Sequence, residues 1–131
     1  MRIESRFELL REVRSETLQR AAEAGFDAED AADIALCVSE AVANAIQHGN
    51  QGDPAKYVEV NFFDAPDQFI VEVRDEGSGI PLDLEGGRFV GAAEGLHLGR
   101  GMRLILGLMD DVRVSHDEGR IVLVKRKRGG R

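Results

Sequence analysis

The chain has 131 residues, long enough to bury most of one core and too short for two ordinary domains. With 43% hydrophobic and 31% charged residues it has the balance of a soluble globular protein, and its apolar runs fall far short of a membrane span. A formal net charge of -7 argues against nucleic acid as the main partner, because affinity for phosphate backbones comes from clustered cations.

The N-terminus, MRIESRFELLREVRSE, is charged throughout and lacks the apolar core of a signal peptide, so the expectation is a cytoplasmic protein. Arg2 to Glu4 reads as a short edge strand. Ser5 followed by Glu8 has the form of a capping box, opening a helix with Leu9, Leu10, Val13, Leu18 and Ala21 on its apolar side. Gly25 ends that helix, and Asp27 caps a second one running to about His48. Ile34, Val38, Ala41 and Ala45 recur there at helical spacing, with Gly49-Asn50 as the stop signal. The single cysteine, Cys37, lies between Leu36 and Val38 and reads as a small packing residue. YVEVNFF and QFIVEVRD, joined by DAPDQ, alternate as an antiparallel hairpin, with Val58, Val60, Phe62, Phe69, Val71 and Val73 facing the core.

From Glu76 to Gly101 the chain holds eight of its fifteen glycines and little periodicity, so it reads as a long glycine-rich loop, with a lid at about 80–99. Met102 to Met109 forms a short apolar helix. Val112 to Ser115 and Arg120 to Lys125 close the chain as a hairpin around HDEG, and the basic tail 125–131 reads as a solvated strand exit. This order predicts a single domain over 1–131. The fold class is α+β, a two-layer sandwich with helices on one face of a mainly antiparallel sheet.

Three segments carry chemistry. Residues four apart on a helix lie nearly above one another, so Glu40, Asn44 and His48 make one polar stripe in an alanine-rich run. A solvated helix face is one reading. The other is an Asn carbonyl oxygen suited to Mg²⁺ with a Glu one turn earlier as general base, since Asn is a poor helix former and usually needs a reason to sit mid-helix. In VRDEGSGI, the alternation that sends Phe69, Val71 and Val73 inward also sends Asp75 inward at the strand end. Either it caps its own turn, or it accepts from a ligand such as a purine amine, with Gly77 and Gly79 letting the chain pass close to a flat ring. In LGRGMRLILGLMDD, Gly99 and Gly101 precede a helix whose free N–H groups suit a phosphate, with Arg100 as a further cation; a flexible loop before a core helix is the alternative. A base, a metal ligand, a purine acceptor and a phosphate cradle in one short chain are an improbable coincidence.

On these residues the sequence resembles the GHKL (Bergerat-type) ATP-binding superfamily, and within it the bacterial anti-sigma-factor serine/threonine kinases of the RsbW and SpoIIAB type. Glu40 to Gly49 looks like the N box, Asp75-Glu76-Gly77-Ser78-Gly79 like the G1 box, and Gly99-Arg100-Gly101-Met102 like the G2 box, with Leu108-Met109-Asp110 matching the usual continuation. The resemblance implies that Glu40 is the catalytic base, Asn44 holds Mg²⁺, Asp75 receives the adenine amine, His48 sits near the phosphates, and Gly77, Gly79, Gly99, Arg100, Gly101 and Met102 belong to the ATP pocket. It implies a sigma factor and a STAS-type antagonist as partners, and a homodimer. A nucleotide-sensing binder without phosphotransfer is the rival, and a fragment of a histidine-kinase assembly a weaker one. Two positions depart from the family. Its Gly-Thr pair is replaced by Gly119-Arg120-Ile121, and His97 stands near the place of an Arg that precedes the G2 box, leaving Arg100 or Arg88 as substitutes.

Overall fold

The computed structural model describes residues 1–76, 83–85, 88–90, 100–115 and 118–128, those at 83–85, 88–90 and 100 by their backbone alone. Among the described residues the strands are β1 (Arg2–Glu4), β2 (Tyr57–Asp64), β3 (Gln68–Arg74), β4 (Asp83–Glu85), β5 (Arg88–Val90), β6 (Asp111–Ser115) and β7 (Arg120–Arg126); the helices are α1 (Leu10–Glu23), α2 (Ala28–Asn44) and α3 (Arg100–Leu108). The main sheet runs β1-β2-β3-β7-β6 with every pair antiparallel. Its inward face is made of cross-strand rows such as Val60, Val73, Ile121 and Val114, or Phe62, Val71, Leu123 and Val112. Period-two alternation puts these on one face, and α2 covers them with Ile34, Val38, Ala41 and Val42, all essentially fully buried. Phe69 anchors the middle, edge-on to Phe26 at 6.0 Å between ring centroids and stacked with Phe62 at 6.2 Å. The two-layer α+β reading is therefore borne out.

Four local expectations are corrected. Ser5 does not cap α1: its hydroxyl donates to Lys56 O at 2.7 Å, and the helix is entered through a 3₁₀ turn at Phe7–Leu9 without a side-chain cap. A buried tertiary partner outcompetes the local one. Asp27, by contrast, caps α2 as expected, accepting from Asp30 N–H at 2.8 Å. The second helix leaves α geometry at Asn44, and Ala45–Gly49 form a π turn. The stretch read as loop contains the two-strand ladder β4-β5, with Leu84 opposite Phe89. The described part of the basic tail, 125–128, is tied to the fold: Lys125 Nζ donates to Leu108 O at 2.7 Å in the last turn of α3, Lys127 pairs with Asp64, and Arg128 lies 3.8 Å from Asp30. Cation placement at a helix C-terminus satisfies carbonyls that have no partner within the helix.

Candidate functional site

The polar stripe begins as expected and then changes. Glu40 and Asn44 are half-buried on α2, but His48 is exposed. The cause is the π turn, in which Asn50 N–H reaches back five residues to Ala45 O at 2.8 Å. An extra residue in the turn moves His48 off the α-helical row, and such insertions recur at functional sites. The turn also brings Gly49 against the end of β3. A methyl group at Gly49 would overlap the Asp75 carboxylate, so glycine is required there by close approach. On its other side Asp75 meets Gly119, where φ is +60° and an added methyl would lie 2.6 Å from Asp75 Oδ1. Asp75 N–H donates to Gly119 O at 2.8 Å, and the residue is only 9% exposed. Its inward placement follows the sequence reading, and its carboxylate sits in a slot between two glycines.

A second close approach joins Glu40 to α3. A methyl at Gly101 would overlap the Glu40 carboxylate, and Glu40 Cδ would lie 3.1 Å from it. Glu40 thus rests against the first turn of α3, where backbone N–H groups lack helical partners and carry partial positive charge. Met102 points the other way, into the core at 3% exposure. Gly77, Gly79, Gly99 and His97 lie outside the described residues, as does most of the lid at about 80–99; Arg100 begins α3 and Arg88 begins β5, without a described side chain. At the departure from the family pattern, Arg120 turns to the outer side and pairs with Glu72 at 3.1 Å, while Ile121 is buried in the core. No hydroxyl stands at either position.

Among the described residues there is no group of three or more His, Cys, Asp or Glu arranged to hold a metal. One neutral amide oxygen, at Asn44, fits a cation that keeps waters and is carried mainly by substrate phosphates, as Mg²⁺ usually is. Cys37, one turn before Glu40, is buried with its thiol directed at Leu104 O, 3.8 Å away. Burial, and after it the negative charge of Asp33, push the thiol up to about 12, so it packs as a neutral small group.

Asn50 escaped the sequence reading, which took it as part of a helix stop. It is fully buried; its amide nitrogen donates to Ser5 Oγ at 2.8 Å and Tyr57 O at 3.0 Å, and its oxygen accepts from Glu76 N–H at 2.8 Å. Glu76 in turn accepts from Tyr57 N–H through its carboxylate. Two successive positive φ values, 53° at Gln51 and 71° at Gly52, turn the chain sharply away after it. An Asn beside a Gln-Gly pair signals a turn, and nothing local signals burial.

Compared with known proteins, residues 3–126 match the family described as the histidine kinase-like ATPase domain. This chain belongs to that family. Within this ATPase-domain family it is 35% identical to serine-protein kinase RsbW of Listeria monocytogenes over 76% of this chain and 67% of the relative. It is 34% identical to the anti-sigma F factor of Clostridium perfringens over 76% and 74%. The resemblance to GHKL anti-sigma kinases is thus upheld. Among solved structures it is similar in fold to the RsbU and RsbW domains of a Mycobacterium tuberculosis protein, with a TM-score of 0.60 and 21% identity, covering 98% of this chain and 32% of that one. No helix of the described residues is long and apolar enough to cross a membrane.

Proposed function

We propose that the chain is an ATP-dependent protein serine/threonine kinase and anti-sigma factor, which holds a sigma factor and phosphorylates a STAS-type antagonist. The observation that carries this is a convergence: Glu40 lies against the N-terminus of α3 while Asp75 lies between Gly49 and Gly119, so α2 and its π turn meet the start of α3 and the end of β3, and the end of β3 meets the turn before β7. The kinase and anti-sigma names of the relatives support the same reading.

Asp75 accepts the exocyclic amine of adenine, with Gly49 and Gly119 keeping side chains out of its slot. The N-terminus of α3, at Arg100 and Gly101, offers N–H groups and positive dipole to the phosphates. Gly77, Gly79 and Gly99 shape the pocket walls, and Met102 fixes α3 to the core. Asn44 would hold Mg²⁺ by its amide oxygen; when bound, the ion neutralises charge on the phosphates. Glu40 accepts the proton of the partner's hydroxyl as its oxygen bonds to the γ-phosphorus and the bond from that phosphorus to the β–γ bridging oxygen breaks, releasing ADP. His48, exposed on the π turn, would sit near the phosphates. The protein acts in the cytoplasm, as a homodimer.

A binder that senses nucleotide without phosphotransfer is the second reading, favoured by the absence of a hydroxyl at Arg120 and Ile121. Incubation with labelled ATP and candidate STAS proteins separates the two. Labelled STAS protein is the expected result; bound nucleotide with no phosphoprotein would leave only the binder.

A further inference from the structure

The geometry points to Asn50 as a positioning residue for nucleotide binding: we propose that it sets the place of Asp75, and with it the affinity for adenine nucleotides. The inference rests on the reading of Asp75 as the adenine acceptor. Asp75 closes β3, and beyond it the sheet no longer dictates where the chain goes. Two consecutive backbone N–H groups are nevertheless held there. That of Asp75 donates to Gly119 O at 2.8 Å, and that of Glu76 donates to Asn50 Oδ1, also at 2.8 Å. The carboxylate between those anchors is lodged against Gly49, the residue that precedes Asn50. Asn50 therefore continues the Gly49 wall through its own backbone and holds the chain just beyond Asp75 through its side chain, while Gly119 holds Asp75 from the other side.

The amide can do this because it is itself over-determined. Its nitrogen is fixed by Ser5 Oγ and Tyr57 O, and Ser5 is fixed by Lys56 O. All three partners come from outside the π turn, from the chain that follows β1 and the chain that enters β2. A buried side-chain amide with all of these bonds made has one orientation, whereas an incompletely satisfied one would cost stability. The two roles fall on different atoms: the nitrogen ties the fold together, and the oxygen places the strand end.

The test uses the full chain, with hydrogen exchange of the nucleotide-free protein, binding of a fluorescent ATP analogue and thermal unfolding measured for each variant. Asn50→Ala should lose protection at Glu76 N–H while Val71 and Val73 keep theirs, and should raise the Kd for the analogue about tenfold, the equivalent of one buried hydrogen bond. Ser5→Ala removes a partner of the nitrogen alone; it should lower Tm while leaving the Kd within about twofold. Should Asn50→Ala fail to fold, Asn50→Ser, too short to reach Glu76, takes its place. Retained protection at Glu76, or a Kd that rises as Tm falls in the same proportion in the Ser5 and Asn50 variants, overturns the proposal. A wild-type chain that binds no ATP analogue overturns the adenine reading instead, and the exchange data still decide whether Asn50 places the strand end.

Discussion

The two ends of the candidate site are built in opposite ways. Around Asp75 the walls are backbone: Gly49 and Gly119 admit no side chain, and the N–H groups of Asp75 and Glu76 are both anchored. Around Glu40 and Asn44 the groups are half-buried side chains on a regular helix, and His48 beyond them is exposed. Recognition of a flat base needs a fixed slot, whereas a proton acceptor needs reach toward a second protein. The difference teaches that substitutions should separate the two ends: changes near Asp75 should alter binding and stability together, and changes at Glu40 should alter turnover alone.

The largest effect expected is on turnover. Glu40→Ala should slow phosphorylation of a STAS partner by about 10²–10⁴-fold, the usual worth of a positioned general base, with ATP affinity changed little. An unchanged single-turnover rate would remove Glu40 from the chemistry and leave only packing against Gly101. Next comes Gly49→Ala, whose methyl must displace the Asp75 carboxylate. It should destabilise the fold by about 1–3 kcal/mol and weaken ATP binding in the same protein, measured by urea unfolding and nucleotide titration. Gly119→Ala combines a positive φ with a shorter overlap and should cost about 1–2 kcal/mol. If either alanine weakened turnover while leaving binding and stability intact, the division between the two ends would not hold.

Much of this contrast could be read from the residues, for physical reasons that also explain what could not. The strands declare themselves because alternation at Val58, Val60, Phe69, Val71 and Val73 has one burial solution, and that same alternation carries Asp75 inward. Asp27 was legible as a cap because its competitor groups are all local. Ser5 was misread because its partner, Lys56 O, is distant in the chain and no pattern foretells it. The π turn at Ala45–Gly49 differs from an α turn by a single residue, below what a 3.6-residue period resolves over so short a span. It followed that His48 was placed on the stripe and that Asn50, beyond it, was passed over. The ladder β4-β5 is three residues a side, too short for periodicity to stand out against the surrounding glycines.

The smallest effect tests how closed the underside of the Glu40 end is. Cys37 lies one turn before Glu40, against Leu104 of α3, and burial pushes its thiol from 9.0 up to about 12. Its folded value is thus above its unfolded value, and the native state keeps a proton that the unfolded chain releases. The stabilisation is fully present below pH 9 and is lost as pH rises toward 12. Between pH 7 and pH 9.5 the wild type should lose about 1 kcal/mol more stability than Cys37→Ala, read from urea midpoints at both values. Equal losses would mean that the thiol meets water in the native state. The joint between α2 and α3 would then be open, and the Glu40 end would lack the firm base that the Asp75 end has.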